Sequence, residues 1–164
     1  MNKTQTAIFT VNPFMQIAID EARKGICNGD GGPFGSVVVK EGRVIGQGHN
    51  CVLTNHDSTC HGEISAIRNA EQTLQTHDLS DCDLYTTGEP CLMCLAACLW
   101  ANIKKVYYGC TISDNALIGF RDEAFDKLMG GRDKLLEQQY LEELDRSACL
   151  ELFKEYQPLN AERY

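Results

Sequence analysis

Residues 61–110 read HGEISAIRNAEQTLQTHDLSDCDLYTTGEPCLMCLAACLWANIKKVYYGC, and the change of pattern along them decides the fold class. Ile64, Ile67, Ala70 and Leu74 recur at helical spacing behind His61. Leu84-Tyr85-Thr86 is then a short β-rich run, and Pro90 opens a second helical pattern through Leu92, Leu95, Ala96 and Leu99. Proline suits a helix start because its missing N–H is not needed there. Val106-Tyr107-Tyr108 is a second β-rich run, ended by Gly109. Strands joined through helices favour parallel neighbours.

Upstream, Phe14, Ile17, Ala18 and Ala22 predict a helix from Pro13 to Ile26, stopped by the glycine cluster at 29–32. Val37, Val38 and Val39, then Val44 and Ile45, flank Lys40-Glu41-Gly42-Arg43, which reads as a hairpin with Gly42 at positive φ. A polar connection runs from Asn50 to Thr59. Downstream, residues 135–141 suit helix or strand, and Leu144, Ala148 and Leu152 suggest a helix before Pro158. The expectation is an α/β fold, a three-layer α/β/α sandwich around a mixed five-stranded sheet. Four prolines, no repeat and no low-complexity tract point to one domain over residues 1–164.

Composition narrows the function. Fifteen basic against twenty-three acidic residues leave a formal charge of −8 on 164 residues, which argues against a surface built to grip phosphates. No apolar run approaches the ~18 residues of a membrane span, and the first fifteen residues do not read as a secretory signal. Nine cysteines scattered singly read as reduced, buried or metal-bound in a cytoplasmic protein.

The chemistry lies in His61-Gly62-Glu63 and in Pro90-Cys91-Leu92-Met93-Cys94. Cys91 and Cys94, three apart at a helix start, project from one face, where free N–H groups and the helix dipole favour thiolate. With His61, opening the other helix, they form a set that suits one zinc ion per chain, with a fourth position left for water. Glu63, two residues beyond the histidine, is placed to hold a proton beside that water, whose pKa zinc lowers to about 7. A C-x-x-C alone is weak, and Glu63 alone would pass for a solvated first-turn carboxylate. The combination H-x-E with P-C-x-x-C is the signature of zinc deaminases. Cys98, one turn beyond Cys94, could in principle face the ion but would close the site. Cys60 precedes His61 and could line the pocket. His49, His56 and His77 have no ligand spacing and read as structural or solvated.

On these residues the chain resembles the cytidine deaminase-like superfamily, and within it the small zinc-dependent guanine deaminases of bacteria. The closer resemblance is carried by Gly32-Pro33-Phe34-Gly35, Gly48-His49-Asn50, Leu99-Trp100-Ala101, Gly119-Phe120-Arg121-Asp122 and the terminal Asn160-Ala161-Glu162-Arg163-Tyr164. It implies hydrolysis of guanine to xanthine and ammonia, with Glu63 as first proton carrier and Asp122 as a candidate second. It also implies a homodimer whose C-terminal segment, about 140–164, swaps onto the partner so that Tyr164 completes the neighbouring pocket. Asn50 carries one acceptor and two donors for a purine edge. Phe34 and Trp100 could wall the ring, since bases stack on aromatic faces, although Trp100 also suits core packing.

The chain departs from the usual pattern at Gly62, where alanine is common and where fungal cytosine deaminases share His-Gly-Glu-Ile-Ser. It departs again at Gly88 and Arg121. Another free base, cytosine or an aminated purine or triazine, is the first alternative. A tRNA adenosine deaminase is the second, opposed by Glu142, Glu143, Asp145 and Glu151 where such enzymes carry a basic helix. A non-catalytic zinc module is the third, and it has no use for Glu63.

Overall fold

A computed structural model describes residues 11–130, together with Arg146 and Leu150. The chain forms two compact units, Met1–Asp122 and Glu123–Tyr164. The first contains α1 (Pro13–Asn28), the strands β1 (Gly35–Lys40) and β2 (Arg43–His49), the short α2 (Val52–Asn55), α3 (Gly62–Leu74), β3 (Cys82–Gly88), α4 (Leu92–Trp100), β4 (Lys105–Cys110) and α5 (Ile112–Leu117). A further helix, α6 (Asp122–Leu128), begins at its last residue.

Local chemistry sets these boundaries. The Asn12 side chain caps α1 by accepting from the N–H groups of Phe14 and Met15, and Pro13 follows at the first helical position. Gly29, in the left-handed conformation, closes the helix. Glu41 and Gly42 both take positive φ, 48° and 73°, the signature of a two-residue type I′ hairpin turn. That turn sets Val39 opposite Val44 and Lys40 opposite Arg43.

The sheet order is β2-β1-β3-β4. β3 and β4 are parallel neighbours through the α4 crossover, as the sequence suggests. β2 and β3 are not neighbours: β1 lies between them and pairs antiparallel with both. β2 stays at the edge of the sheet, and the crossover through α3 carries the chain past β1 to its other side. Four strands, not five, are formed among the described residues; the segment 135–141, the candidate for a fifth, lies outside them.

Alternation along β1 divides the apolar contacts. Val37 and Val39 pack with Ala18, Phe14 and Ile17 of α1, while Val38 joins Ala66, Ile67 and Ala70 of α3, Leu84 of β3 and Cys98 of α4. Cys98 is therefore a core residue, and burial pushes its thiol up to about 12, far from a ligand's thiolate. At the β1–β3 seam Ser36 and Thr86 face each other and share a buried hydrogen bond of 2.9 Å. Thr87 accepts from the Gly35 N–H and donates to the Pro33 carbonyl, which pins the loop carrying Phe34.

Candidate active site

Two helices start at the same place. His61 is the N-cap of α3 and Cys91 the N-cap of α4, both with extended backbone and neither side chain spent on capping. The second helix thus begins two residues later than Pro90 suggests, with Cys91 as cap and Cys94 in the first turn. Cys91 Sγ lies 3.7 Å and Cys94 Sγ 3.5 Å from His61 Nδ1. A tetrahedral zinc with Zn–S near 2.3 Å and Zn–N near 2.0–2.1 Å separates sulfur and nitrogen ligands by about 3.6 Å. The donor set therefore fits the ion in both chemistry and spacing.

The electrostatics without metal agree with a ligand cluster. The Cys94 thiol and the His61 ring, both directed at Cys91, bring its pKa down to about 4 against the opposing effect of burial. Cys94, fully buried beside that thiolate, is pushed far up. The hydrogen bond to Cys91 raises the His61 ring above its ordinary value.

Glu63 sits in the first turn of α3 with 5% of its surface exposed, and burial raises its carboxyl pKa. Its carboxyl meets its own backbone N–H and the Cys94 thiol, so it borders the donor set without belonging to it. Gly62 has a local cause: a Cβ there would come 3.0 Å from the Phe34 carbonyl oxygen, tighter than an alanine takes without the loop giving way.

Asn50 is buried, and its Oδ1 accepts from the N–H groups of Gly32 and Val52 at 3.3 and 3.2 Å. The acceptor that the sequence left free is thus occupied. The Nδ2 group makes no hydrogen bond to another described residue. Asn50 offers donors only.

Phe34 meets Phe120 edge-on with ring centroids 4.8 Å apart, and packs over Gly88 beside Asn115. Asp122 accepts a 3.1 Å hydrogen bond from Asn115 Nδ2, and its charge is felt at the His61 ring. Neither Asn115 nor Phe120 was given a role from sequence. Asn115 is buried inside α5, where an asparagine without a partner would be costly, and that burial is the signal of its use. The α5 start is fixed by the Thr111/Asp114 capping box and by Glu89, which accepts from the Ile112 N–H.

Trp100 ends α4, about 9 Å along the helix axis from Cys94, and 66% of its surface is exposed. The structure does not bring it to the donor set within one chain. Tyr164 and the rest of the segment about 140–164, apart from Arg146 and Leu150, lie outside the described residues. Cys60 is buried against Asn55 and Ser65.

Residues 10–110 match the cytidine and deoxycytidylate deaminase zinc-binding region. The guanine deaminase of Bacillus subtilis (strain 168) is 47% identical over 109 residues, 66% of this chain and 70% of that protein. The X-ray structure of a Bacillus subtilis guanine deaminase superposes with a TM-score of 0.83 at 34% identity, covering 94% of this chain and 99% of the other. The structure of guanine deaminase from Nitrosomonas europaea gives a TM-score of 0.63 at 33% identity over 68% of this chain and 65% of that one. The tRNA-specific adenosine deaminase of Aquifex aeolicus is 40% identical over 95 residues, 58% of this chain and 62% of that protein. With the His-Cys-Cys donor set and Glu63 already assembled at two helix starts, the chain belongs to the cytidine and deoxycytidylate deaminase zinc-binding family and is a zinc-dependent deaminase.

Proposed function

We propose that this chain hydrolyses guanine to xanthine and ammonia. The observation that carries the reading is a buried carboxyl, Glu63, set beside a three-ligand zinc site in a chain so similar to a guanine deaminase. His61, Cys91 and Cys94 would hold the zinc ion, which when bound would supply an activated water as the nucleophile for the amino-bearing carbon C2. Glu63 carries a proton to the ring nitrogen next to C2, which prepares that carbon for attack. Asp122, steadied by Asn115, accepts the proton that the hydroxyl added at C2 gives up and passes it to the leaving amine. Direct loss of an amide anion would be prohibitive, so each carrier has a chemical task. Asn50 meets an acceptor on the base edge through Nδ2, and Phe34 with Phe120 offers an aromatic wall.

The test is a panel of free purines, cytosine and nucleosides assayed for ammonia release at low and high salt. Guanine is expected to be the preferred substrate, with turnover nearly independent of salt. A charge of −8 and the acidic residues between 137 and 155 give little counterion release on RNA. Salt-sensitive conversion of adenosine in tRNA, or faster release from cytosine, would overturn the reading.

The layered arrangement belongs to the same proposal: α1 on Val37 and Val39, and α3 with α4 behind Val38, support a three-layer α/β/α sandwich. A homodimer is supported by the exposed apolar face of α4, where Leu92, Leu95 and Leu99 line up with Trp100. From a neighbouring molecule, Trp100 could reach a pocket that it does not reach within its own chain. Among the described residues no helix is long and apolar enough to cross a membrane, and the cysteines there are unpaired, which suits the cytoplasm.

In the proposed dimer the tail through Tyr164 covers the partner's base. Deleting residues 159–164 should keep zinc bound and lower activity on guanine at least about tenfold, the effect of losing one hydrogen bond and a lid. Mixing that truncated chain with a Glu63→Ala chain should restore one working site per mixed dimer. Mixed dimers without recovered activity would refute the swap.

A further inference from the structure

Outside the zinc site, one other group of ligand-type side chains gathers among the described residues: Asp30, His49 and Cys51. The histidine at its centre is already committed. His49 Nε2 lies 2.9 Å from Asp30 Oδ2, and Nδ1 lies 3.3 Å from Glu21 Oε2. Each ring nitrogen therefore faces a carboxylate oxygen, which accepts from whichever nitrogen carries a proton. Glu21, buried in α1, is itself held by Lys24 and by Gln47 Nε2 at 3.1 Å. The ring packs closely on α1: a Cβ on Gly25 would come 2.6 Å from His49 Cδ2. A side chain so enclosed is built to stay still.

Asp30 explains what that stillness serves. Its carboxylate accepts from His49 and, at 2.6 Å, from the Thr54 hydroxyl, and these two bonds hold its pKa below the ordinary value. Its main-chain carbonyl accepts from the N–H groups of Leu53 and Thr54. Asp30 thereby stitches the loop after α1 to the start of α2. Those two segments supply the donors that seat Asn50: Gly32 N–H from the first and Val52 N–H from the second. Asn50 follows His49 directly in the chain, so the imidazole fixes the backbone on one side of the asparagine while Asp30 fixes its two side-chain partners.

We propose that His49, clamped between Glu21 and Asp30, is a positioning residue that sets the Asn50 amide for base recognition. The inference rests on Asn50 meeting the base, as proposed above. Its effect should fall on the capture of guanine, since the zinc ligands and Glu63 belong to other segments of the fold.

The experiment compares wild type, His49→Gln, Asn50→Ala and the double variant in the zinc-loaded enzyme, recording kcat, KM for guanine and zinc per chain. His49→Gln is expected to raise KM about tenfold, on the scale of one misaligned hydrogen bond, with kcat within about threefold of wild type. The double variant should be no worse than Asn50→Ala alone, because the two act through one contact. Should His49→Gln fold poorly, Asp30→Asn and Thr54→Val loosen the same clamp more gently and should raise KM in the same direction. Additive losses in the double variant, an unchanged KM in the clamp variants, or equal losses in kcat would overturn the positioning role while leaving the base-reading role of Asn50 intact. An unchanged KM in Asn50→Ala itself would instead refute the base-reading role and the inference with it. Two zinc ions per chain, falling to one in His49→Gln, would make the cluster a metal site and overturn the clamp.

Discussion

Glu63→Ala should leave zinc at about one ion per chain and reduce turnover of guanine by about a thousandfold or more, within the range that a positioned acid–base group contributes. The separation of the two readouts follows from the geometry. Glu63 borders the donor set through the Cys94 thiol, but the three atoms that fit a tetrahedral ion belong to His61, Cys91 and Cys94. Removing the carboxyl takes away a proton carrier and no ligand. Glu63→Gln sharpens the test, because it keeps the volume and the contact with the backbone N–H yet carries no exchangeable acid proton. It should be as inactive as alanine. Burial already disfavours the charged carboxylate at this position, so the amide should be tolerated by the fold, with a thermal midpoint at or above wild type. A glutamine variant with turnover within tenfold of wild type would remove Glu63 from the proton path, whatever its zinc content.

The reach of the sequence can be judged residue by residue. The His61, Cys91 and Cys94 cluster, which could hold a metal ion, was legible because its spacing is local: Cys91 and Cys94 are one helical turn apart, and His61 and Glu63 flank a single glycine. The hairpin was legible because Glu41-Gly42 states its own turn. Pro90 misled the helix boundary since proline also fits just outside an N-cap, and the cap here is a cysteine, a residue without strong capping preference. Strand order was beyond local pattern. Nothing in Val44-Ile45 or Leu84-Tyr85-Thr86 tells whether the chain crosses over one strand or none. The supporting contacts were hidden for a related reason. His49 meets Glu21 across 28 residues and Asp30 across 19, and Asn115 reaches Asp122 only because α5 ends and turns between them. Such partners share no period, so a lone histidine or asparagine carries no mark of them. The Asn50 amide shows the same limit, since its donor and acceptor became distinguishable only once Gly32 and Val52 N–H groups had claimed the oxygen.

Cys94→Ala should give the most complete loss: zinc below about a tenth of an ion per chain and no measurable deamination. Zinc held by three protein ligands keeps a position for water, and with two ligands it has neither the affinity nor the fixed geometry of that site. Cys94 is the ligand whose loss cannot be repaired nearby. It is fully buried in the first turn of α4, and the next sulfur on the helix, Cys98, is locked into the core with Ala66, Ile67 and Leu84. Cys91→Ala should lose zinc as well, though its more exposed cap position leaves room for a water to substitute, and a residual weakly bound ion would be consistent with that. Because the ligands bind as thiolate and neutral imidazole, loading is linked to protons: zinc affinity should weaken as pH falls and recover as pH rises. The measurement is metal content after dialysis at several pH values, in wild type and both cysteine variants, followed by re-addition of zinc. Wild type stripped by a chelator should regain activity on zinc alone. Cys94→Ala should not, and a Cys94→Ala chain that retained one tightly bound zinc would require a different ligand in its place.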